Sequence, residues 1–273
     1  MSKRILITFG GKAYDAQTKE QSDYVGLHRI AHCGGNVDNW IAHKVYDDRW
    51  LIGTPFYQQN RWIFERKPQH GFGFCSWKPY IIQHALRHSG AGDVVMYLDA
   101  DTVPIADISC LFETAEREGI VLFEEQGCIC RTWVKGDCFD AMAVDPLNAQ
   151  AYGEAMIACG RFQLFKKGEW RNEQFLQEWL TYSLNPRCMF HEGSFLASND
   201  DPSFLKNSCE QSVLSLLAVK YQIPLHRTPD QNGWPVAHDG TYKPDDKYPQ
   251  LFQHVGARGD VSDLSGSRFR NIE

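Results

Sequence analysis

The sequence GDVVMYLDAD, residues 92–101, is the stretch that decides the predicted fold. Residues 94–98 form an almost unbroken apolar run, which is typical of a buried strand in a parallel sheet. The run ends at Asp99 and Asp101, two carboxylates with one small residue between them. Because ligands of open α/β sheets bind at the carboxyl ends of the strands, we expect both carboxylates at the edge of a ligand site.

Two carboxylates this close repel each other unless a cation lies near them. The pair therefore predicts an Asp-x-Asp site for Mn²⁺ or Mg²⁺ and a nucleotide diphosphate. In this interpretation Asp101 binds the ion, and Asp99 contacts it through water or contacts the ribose. The cation and Lys78 neutralise charge on a departing nucleoside diphosphate. His254 is our candidate for a late third ligand of the ion.

The rest of the chain predicts one compact α/β domain over residues 1–273. Its first 125 residues alternate predicted strands and helices, which indicates a Rossmann-type, doubly wound, mostly parallel sheet. Residues 126–273 are less regular and end in loops. The predicted strands are 4–9, 36–46, 94–98 and 120–123, with a further strand that enters from a tight turn in 158–165. The predicted helices are 18–33, a helix from Pro79, 107–118, 172–184 and 208–221.

Several residues are placed by these elements. Pro79 fits the first turn of a helix, so Lys78 lies at a helix N-terminus, where a cation does not favour helix stability but can form an anion pocket. Simple surface placement of Lys78 is the alternative. Ser208 and Gln211 have the spacing of a capping box, and Glu210 lies in the same first helical turn, where acids are favoured.

Composition excludes some classes of function. The net charge of −6 argues against broad binding to nucleic acid or an anionic membrane. No apolar run is long enough for a transmembrane segment. The nine cysteines are odd in number and follow no signal peptide, so we expect reduced thiols and a cytoplasmic protein.

Three segments in order resemble GT-A-type glycosyltransferases, especially small bacterial and viral enzymes of polysaccharide or glycan synthesis. They are LITFGG at 6–11, GFGFCSWKPYII at 71–82 and GDVVMYLDAD at 92–101. The resemblance continues through ACGRFQLF at 158–165, Glu210-Gln211-Ser212 and His254.

The resemblance implies a GT-A-like fold with a nucleotide-sugar-binding half, 1–125, and an acceptor-side half, 126–273. It implies a nucleotide-sugar donor, expected to be a UDP-sugar, and a hexosyltransferase acting on a glycan, lipid-linked or other hydroxyl acceptor. Metal ligands would be Asp99, Asp101 and His254. The implied catalytic residues are Asp101, Lys78, Glu210 and Gln211, and the implied donor contacts are Thr8, Phe9, Gly10, Tyr14, Trp77, Lys78 and Asp99.

Alternatives stay open at this level. Asp99-Ala100-Asp101-Thr102-Val103 also resembles the phosphatase motif of the haloacid-dehalogenase superfamily, with Asp99 as nucleophile, Asp101 as general acid–base and Asp200-Asp201 holding Mg²⁺. That motif normally lies on the first strand, whereas two predicted strands precede it here. A catalytically silent sugar- or nucleotide-binding module is the third possibility.

The stereochemical course of a transferase is also open. An inverting enzyme needs a carboxylate base beside the acceptor hydroxyl, and Glu210 or Asp200 could serve. We favour retention, because no second motif indicates a base.

Overall fold

The computed structural model describes residues 2–10, 41–66, 72–190, 200–233 and 248–254. The predicted helix at 18–33, the first part of the predicted strand at 36–46 and the predicted donor contact Tyr14 lie outside these residues.

A seven-stranded sheet forms the centre of the described structure, in the order β2-β1-β3-β7-β5-β6 with β8 beside β5. β1 pairs in parallel with both β2 and β3, and β7 runs antiparallel to both β3 and β5. The predicted α/β class with a mostly parallel sheet is confirmed. The strands are β1 Arg4–Phe9, β2 Ile41–Tyr46, β3 Val94–Leu98, β4 Thr102–Pro104, β5 Ile120–Ile129, β6 Met156–Ala158, β7 Phe162–Lys166, β8 Leu225–His226 and β9 Phe252–His254.

The predicted strand at 120–123 is longer than expected and does not neighbour β3. The strand β7, which comes from the irregular half of the chain, lies between β3 and β5 and pairs with both. Strand order depends on contacts between distant residues, so local hydrophobic periodicity does not report it.

Eleven helices lie among the described residues, numbered here in chain order. They are α1 Asp48–Ile52, α2 Pro55–Gln59, α3 Arg61–Phe64, α4 Lys78–Arg87, α5 Ser109–Glu118, α6 Cys130–Trp133, α7 Gly136–Ala141, α8 Ala149–Glu154, α9 Trp170–Tyr182, α10 Pro186–Met189 and α11 Glu210–Lys220. The segment 53–76, which is rich in aromatic and polar residues without a clean period, contains α2 and α3. Asp47 caps α1 by accepting a hydrogen bond from the amide of Trp50 at 2.7 Å.

The core lies on both faces of the sheet because the strand side chains alternate. Leu6 of β1 packs on one face with Met96 and with Phe112 of α5. Ile7 packs on the other face, in a cluster with side chains of α4, α9 and α11. All five residues of β3 are buried. This two-sided burial explains why the sequence of β3 is apolar without alternation.

A small two-stranded sheet brings the end of the described chain back to β3. β4 pairs antiparallel with β9, in a register that places Thr102 opposite His254. The amide of Ile105 also donates to the carbonyl of Leu251 at 2.8 Å. His254 therefore lies beside the Asp99–Asp101 segment.

Within the described part of the chain, none of the helices has the length and apolar character that a transmembrane segment needs.

Candidate active site at the carboxyl end of strand β3

A cavity of about 540 Å³ opens beside the two aspartates that follow β3. Six residues predicted from the sequence line it together: Lys78, Asp99, Asp101, Glu210, Gln211 and His254. They come from the start of α4, the end of β3, the start of α11 and β9. Four segments far apart in the sequence thus meet in one pocket.

Lys78 is a buried cation that joins three of these segments. It is the first residue of α4 and is only 3% exposed. Its ammonium donates to the carbonyl of Gly160 at 2.8 Å and lies 3.1 Å from both Asp99 Oδ1 and Glu210 Oε1. Burial acts to lower the pKa of Lys78, but the charges of these two acids outweigh it and raise that pKa well above its usual value. The side chain is therefore a fixed positive charge inside the pocket.

Asp99 is held from three directions. Beside the Lys78 ammonium, the buried hydroxyl of Tyr97 donates a hydrogen bond to Asp99 Oδ1. The amide of Asp99 donates to the carbonyl of Arg161 at 2.8 Å. Burial, with the nearby charge of Asp99, raises the pKa of Tyr97 well above its usual value, so this hydroxyl stays a hydrogen-bond donor. The orientation of the first aspartate is consequently fixed by the protein.

Asp101 and His254 face each other across β4 and β9. His254 Nε2 lies 3.3 Å from Asp101 Oδ2, and both side chains are partly exposed to the pocket. Burial acts to raise the pKa of Asp101, but the hydrogen bond and charge of His254 outweigh it and lower that pKa. The same hydrogen bond raises the pKa of His254.

The Asp101–His254 pair fits two neighbouring ligands of one divalent cation. Neighbouring donor atoms at about 2.1 Å from an octahedral ion lie about 3 Å apart, close to the separation of this oxygen and nitrogen. Carboxylate oxygen and imidazole nitrogen are both donors of such ions. Across the residues that the structure describes, no group of three or more His, Cys, Asp and Glu side chains forms a metal-binding cluster.

Two residues that the sequence analysis did not select, Gln231 and Arg161, make contacts in the part of the pocket around His254. Gln231 brackets the backbone of His254: its Oε1 accepts from the His254 amide at 2.9 Å and its Nε2 donates to the carbonyl at 2.7 Å. Arg161 lies 3.1 Å from both Glu125 Oε1 and Asp230 Oδ2. No local sequence pattern indicates these contacts, because each joins residues more than 20 positions apart.

Glu210 and Gln211 enter the pocket from the first turn of α11. Glu210 is 7% exposed, and burial raises its pKa although the nearby Lys78 acts against that shift. The Gln211 side chain donates to the carbonyl of Ala158 at 3.4 Å.

The predicted Ser208–Gln211 capping box is wrong. Ser212 Oγ, rather than a capping partner at position 211, accepts the hydrogen bond from the Ser208 amide at 3.1 Å. The residue before the helix is Cys209, which has a φ of 54° and makes no side-chain cap. The Ser208 amide also donates to the carbonyl of Trp133 at 3.0 Å, so a contact between residues far apart in the sequence takes the place of the local cap.

Gly160 allows two of these segments to approach closely. A Cβ atom at this position would lie 2.9 Å from Gln211 Cγ and 3.0 Å from Glu210 Oε1. Glycine therefore lets the turn between β6 and β7 pass against the start of α11 without displacing these two side chains, and its carbonyl accepts a hydrogen bond from Lys78.

The predicted donor contacts at the end of β1 do not line the cavity. Thr8 is fully buried, Phe9 stacks on Trp77 with ring centroids 3.9 Å apart, and the amide of Gly10 donates to the carbonyl of Tyr46. The Trp77 indole donates to the carbonyl of Phe72 at 2.9 Å. Their role in binding a donor stays a prediction.

The other end of the cavity is lined by residues that the sequence analysis did not predict. Trp133 of α6, Cys128 and Ile157 give it an apolar wall, and Lys206 lies at its edge. The Lys206 ammonium is 5.2 Å from the centroid of the Trp133 ring.

Asp200 and Asp201, which the phosphatase alternative uses to hold Mg²⁺, are not among the residues that line the cavity. Asp200 accepts a hydrogen bond from the amide of Gly136 at 2.7 Å, and Asp201 caps a turn at Ser203. Asp200 is therefore held by a backbone amide distant in the sequence, and Asp201 by a local turn.

Comparisons with known proteins were made on the sequence and on the fold. No protein-family model matches the sequence, and no curated protein matches it. Solved structures do resemble the fold. The galactosyltransferase LgtC, in complex with donor and acceptor sugar analogues, is 10% identical, with a TM-score of 0.47 over 96% of this chain and 94% of that one.

Two further structures are similar to this chain. Mouse xyloside xylosyltransferase 1 is 11% identical, with a TM-score of 0.46 over 83% of this chain and 84% of that one. The bifunctional glycosyltransferase WbbM is 12% identical, with a TM-score of 0.46 over 79% of this chain, which spans only 37% of the WbbM chain. All three of these solved structures are glycosyltransferases.

Proposed function

We propose that this protein is a metal-dependent glycosyltransferase that moves a sugar from a nucleotide-diphosphate donor to a hydroxyl acceptor. The observation that carries the proposal is the meeting of Asp99, Asp101 and His254 with the buried Lys78–Glu210 ion pair in one cavity at the end of β3. In this proposal a cation would bind beside the fixed ammonium of Lys78. Positive charge there would stabilise a departing diphosphate, because that leaving group is strongly anionic.

In this proposal Asp101 and His254 would hold Mn²⁺ or Mg²⁺, and Asp99 would contribute charge or a water-mediated contact. A cation bound there neutralises charge on the leaving diphosphate. The other groups in this proposal are side chains of the protein. Lys78 supplies a permanent positive charge beside Asp99, and Tyr97 keeps the Asp99 carboxylate in one orientation.

We favour transfer with retention of configuration. The two glutamates that line the cavity are both engaged: Glu210 is paired with Lys78 and Glu125 with Arg161. Asp200, the other carboxylate that could serve as a base, accepts a hydrogen bond from the backbone amide of Gly136 and does not line the cavity. The anomeric configuration of the product, read by NMR, tests this part of the proposal.

The test of donor binding is a thermal-shift screen of nucleotide-sugars, UDP-sugars first, with and without Mn²⁺. A donor that binds the folded protein at about 100 times its Kd stabilises it by roughly 2.7 kcal/mol. We expect the rise in melting temperature to depend on Mn²⁺. Calorimetric titration of the same donor then gives its affinity.

Asp101→Asn is the matching variant, and Asp201→Asn is its control because Asp201 is an acid outside the cavity. We expect Asp101→Asn to lose the Mn²⁺ dependence of donor binding and about 10²-fold or more in turnover, which corresponds to several kcal/mol. Asp201→Asn should retain both. Unchanged turnover in Asp101→Asn would contradict the metal-dependent mechanism, and phosphate release from an aryl phosphate with Mg²⁺ would favour the phosphatase alternative.

A further inference from the structure

His254 is the last residue of β9, a strand of three residues that pairs with β4. A two-stranded sheet this small is marginally stable without further contacts. The carbonyl of Leu251 accepts from the amide of Ile105 on the β4 side, and the amide of Phe252 donates to the carbonyl of Pro229 on the other side. Because successive residues of a strand point their backbone groups to opposite edges, the amide and carbonyl of His254 face away from β4.

Gln231 occupies that second edge in the way that a neighbouring strand would. Its Oε1 accepts from the amide of His254 at 2.9 Å, and its Nε2 donates to the carbonyl of His254 at 2.7 Å. Paired residues of an antiparallel ladder exchange the same two hydrogen bonds, and a carboxamide supplies both because it carries a donor and an acceptor. The Gln253 side chain is a more distant donor to the same carbonyl, at 3.5 Å. Gln231 therefore fixes the backbone of His254 at two points.

The turn that carries Gln231 is itself held in place. Asp230 is fully buried, and its Oδ2 lies 3.1 Å from Arg161 Nε. The carbonyl of Asp230 accepts from the amide of Gly233 at 3.0 Å. A Cβ atom at Gly233 would lie 1.8 Å from the carbonyl oxygen of Thr228, so glycine lets the turn close this tightly. The Gln231 side chain thus starts from a backbone that a buried ion pair and a closed turn hold.

Arg161 connects this turn to the two aspartates that follow β3. Its carbonyl accepts from the amide of Asp99 at 2.8 Å, while its guanidinium pairs with Asp230. Asp101 Oδ2 in turn lies 3.3 Å from His254 Nε2. The contacts form a closed circuit of these residues: Asp99, Arg161, Asp230, Gln231, His254 and Asp101. The distance between the two predicted ligand atoms is therefore set behind the pocket as well as by the pairing of β4 with β9.

We propose that Gln231 is a positioning residue that holds His254 opposite Asp101 as a cation ligand, and that the buried Arg161–Asp230 pair supports it. The proposal rests on the proposed function, because it takes Asp101 and His254 as ligands of Mn²⁺ or Mg²⁺. Gln231 and Asp230 do not line the cavity, so they act through His254 and not on a substrate. Partners that orient a metal ligand typically contribute about 10- to 100-fold in metal affinity.

The experiment uses the full chain and Mn²⁺, whose free concentration is read by electron paramagnetic resonance with and without UDP. Gln231→Met removes both hydrogen bonds and keeps nearly the same side-chain length, so we expect it to weaken Mn²⁺ binding by about 10-fold. The matched control is Gln250→Met. Gln250 is partly buried like Gln231, and its Nε2 donates to the carbonyl of Phe252 in the same strand at 2.8 Å. The control should keep the Mn²⁺ affinity of the unaltered protein.

Two further measurements separate positioning from general stability. In a His254→Ala background, Gln231→Met should cause no further loss of Mn²⁺ affinity, because its effect passes through His254. In metal-free buffer, the isotope-labelled ring of His254 should give a sharp NMR signal in the unaltered protein and a shifted or broadened signal in Gln231→Met. The His254→Ala variant assigns that signal, and urea unfolding in EDTA checks that each variant is folded.

An unchanged Mn²⁺ affinity in Gln231→Met would overturn the proposal. Equal losses in Gln231→Met and Gln250→Met, or a further loss in the His254→Ala background, would also overturn it, because the contact would then act on the fold as a whole. If the unaltered protein binds no Mn²⁺ with or without UDP, the proposed function fails. The His254 ring signal then decides the positioning role separately: a signal that Gln231→Met leaves unchanged refutes it, and a displaced signal supports it.

Discussion

Replacing Lys78 with methionine removes a buried charge while keeping most of the side-chain volume. The ammonium lies 3.1 Å from Asp99 Oδ1, 3.1 Å from Glu210 Oε1 and 2.8 Å from the carbonyl of Gly160. At an effective dielectric constant of about 20, each charge pair at this distance gains roughly 5 kcal/mol before desolvation is subtracted. Desolvation of the buried ions cancels much of that gain.

Removing Lys78 alone costs more stability than removing the lysine and its carboxylate partners together, because the carboxylates that remain lose their counter-charge. We expect Lys78→Met to lower the free energy of unfolding by about 3–5 kcal/mol. Against a typical total of about 5–15 kcal/mol, that is a large fraction of the stability. Adding Glu210→Gln to Lys78→Met removes one of the carboxylates left without a counter-charge. The double variant should therefore be more stable than Lys78→Met by about 1–3 kcal/mol.

The assay is urea unfolding followed by tryptophan fluorescence and far-UV circular dichroism, in buffer with EDTA so that bound metal does not contribute. The control is Lys220→Met. The Lys220 ammonium lies 2.6 Å from Glu178 Oε2, but the Lys220 side chain is 45% exposed to solvent, so this ion pair is not buried. We expect the control to cost less than about 1 kcal/mol. Equal losses for the two lysine variants, or no coupling between Lys78→Met and Glu210→Gln, would refute the reasoning.

Two other predictions concern a glycine and a histidine. Gly160→Ala forces a methyl group to within 2.9 Å of Gln211 Cγ, so we expect a loss of about 1–3 kcal/mol in urea unfolding and weaker donor binding. Its control, Gly153→Ala, has its nearest contact at 3.5 Å inside helix α8 and should be neutral or slightly stabilising. Burial and nearby cations lower the pKa of His84 to about 4, so its folded form binds a proton less readily than the unfolded chain, with an ordinary value near 6.5. The free energy of unfolding should therefore fall by about 1 kcal/mol as pH drops from about 6.5 to about 4, after screening at this partly exposed site. Urea unfolding of the His84→Gln variant at several pH values should lack this part of the decrease. The same pH dependence in the variant and the unaltered protein would contradict the prediction.

Part of the candidate site was predictable because short patterns report local physics. The apolar run at 94–98 requires burial on both faces, and this places Asp99 and Asp101 at a strand end. Pro79 starts a helix and so places Lys78 at its N-terminus. The acid at the start of α11 follows from the same rules of helix termini.

Errors arose where a distant contact competes with a local one. Ser208 and Gln211 have the spacing of a capping box, yet the Ser208 amide donates to the distant carbonyl of Trp133 at 3.0 Å and to Ser212 Oγ at 3.1 Å. A helix cap contributes only about 1 kcal/mol, which tertiary contacts can exceed. Similarly, local periodicity placed the strand at 120–123 in a continuous parallel series, whereas β7 separates it from β3.

The sequence by itself determined the α/β class, the buried strand β3 and the residue types of an Asp-x-Asp site with a nearby lysine. Those features depend on periodicity and on helix and strand termini, which neighbouring residues encode. Only the tertiary structure decided that Lys78 lies between Asp99 and Glu210, and that Lys206 lies over Trp133. Pairing of β4 with β9 also places His254 opposite Asp101. These contacts join residues up to about 150 positions apart, and their geometry follows from the packing of the whole sheet and its helices.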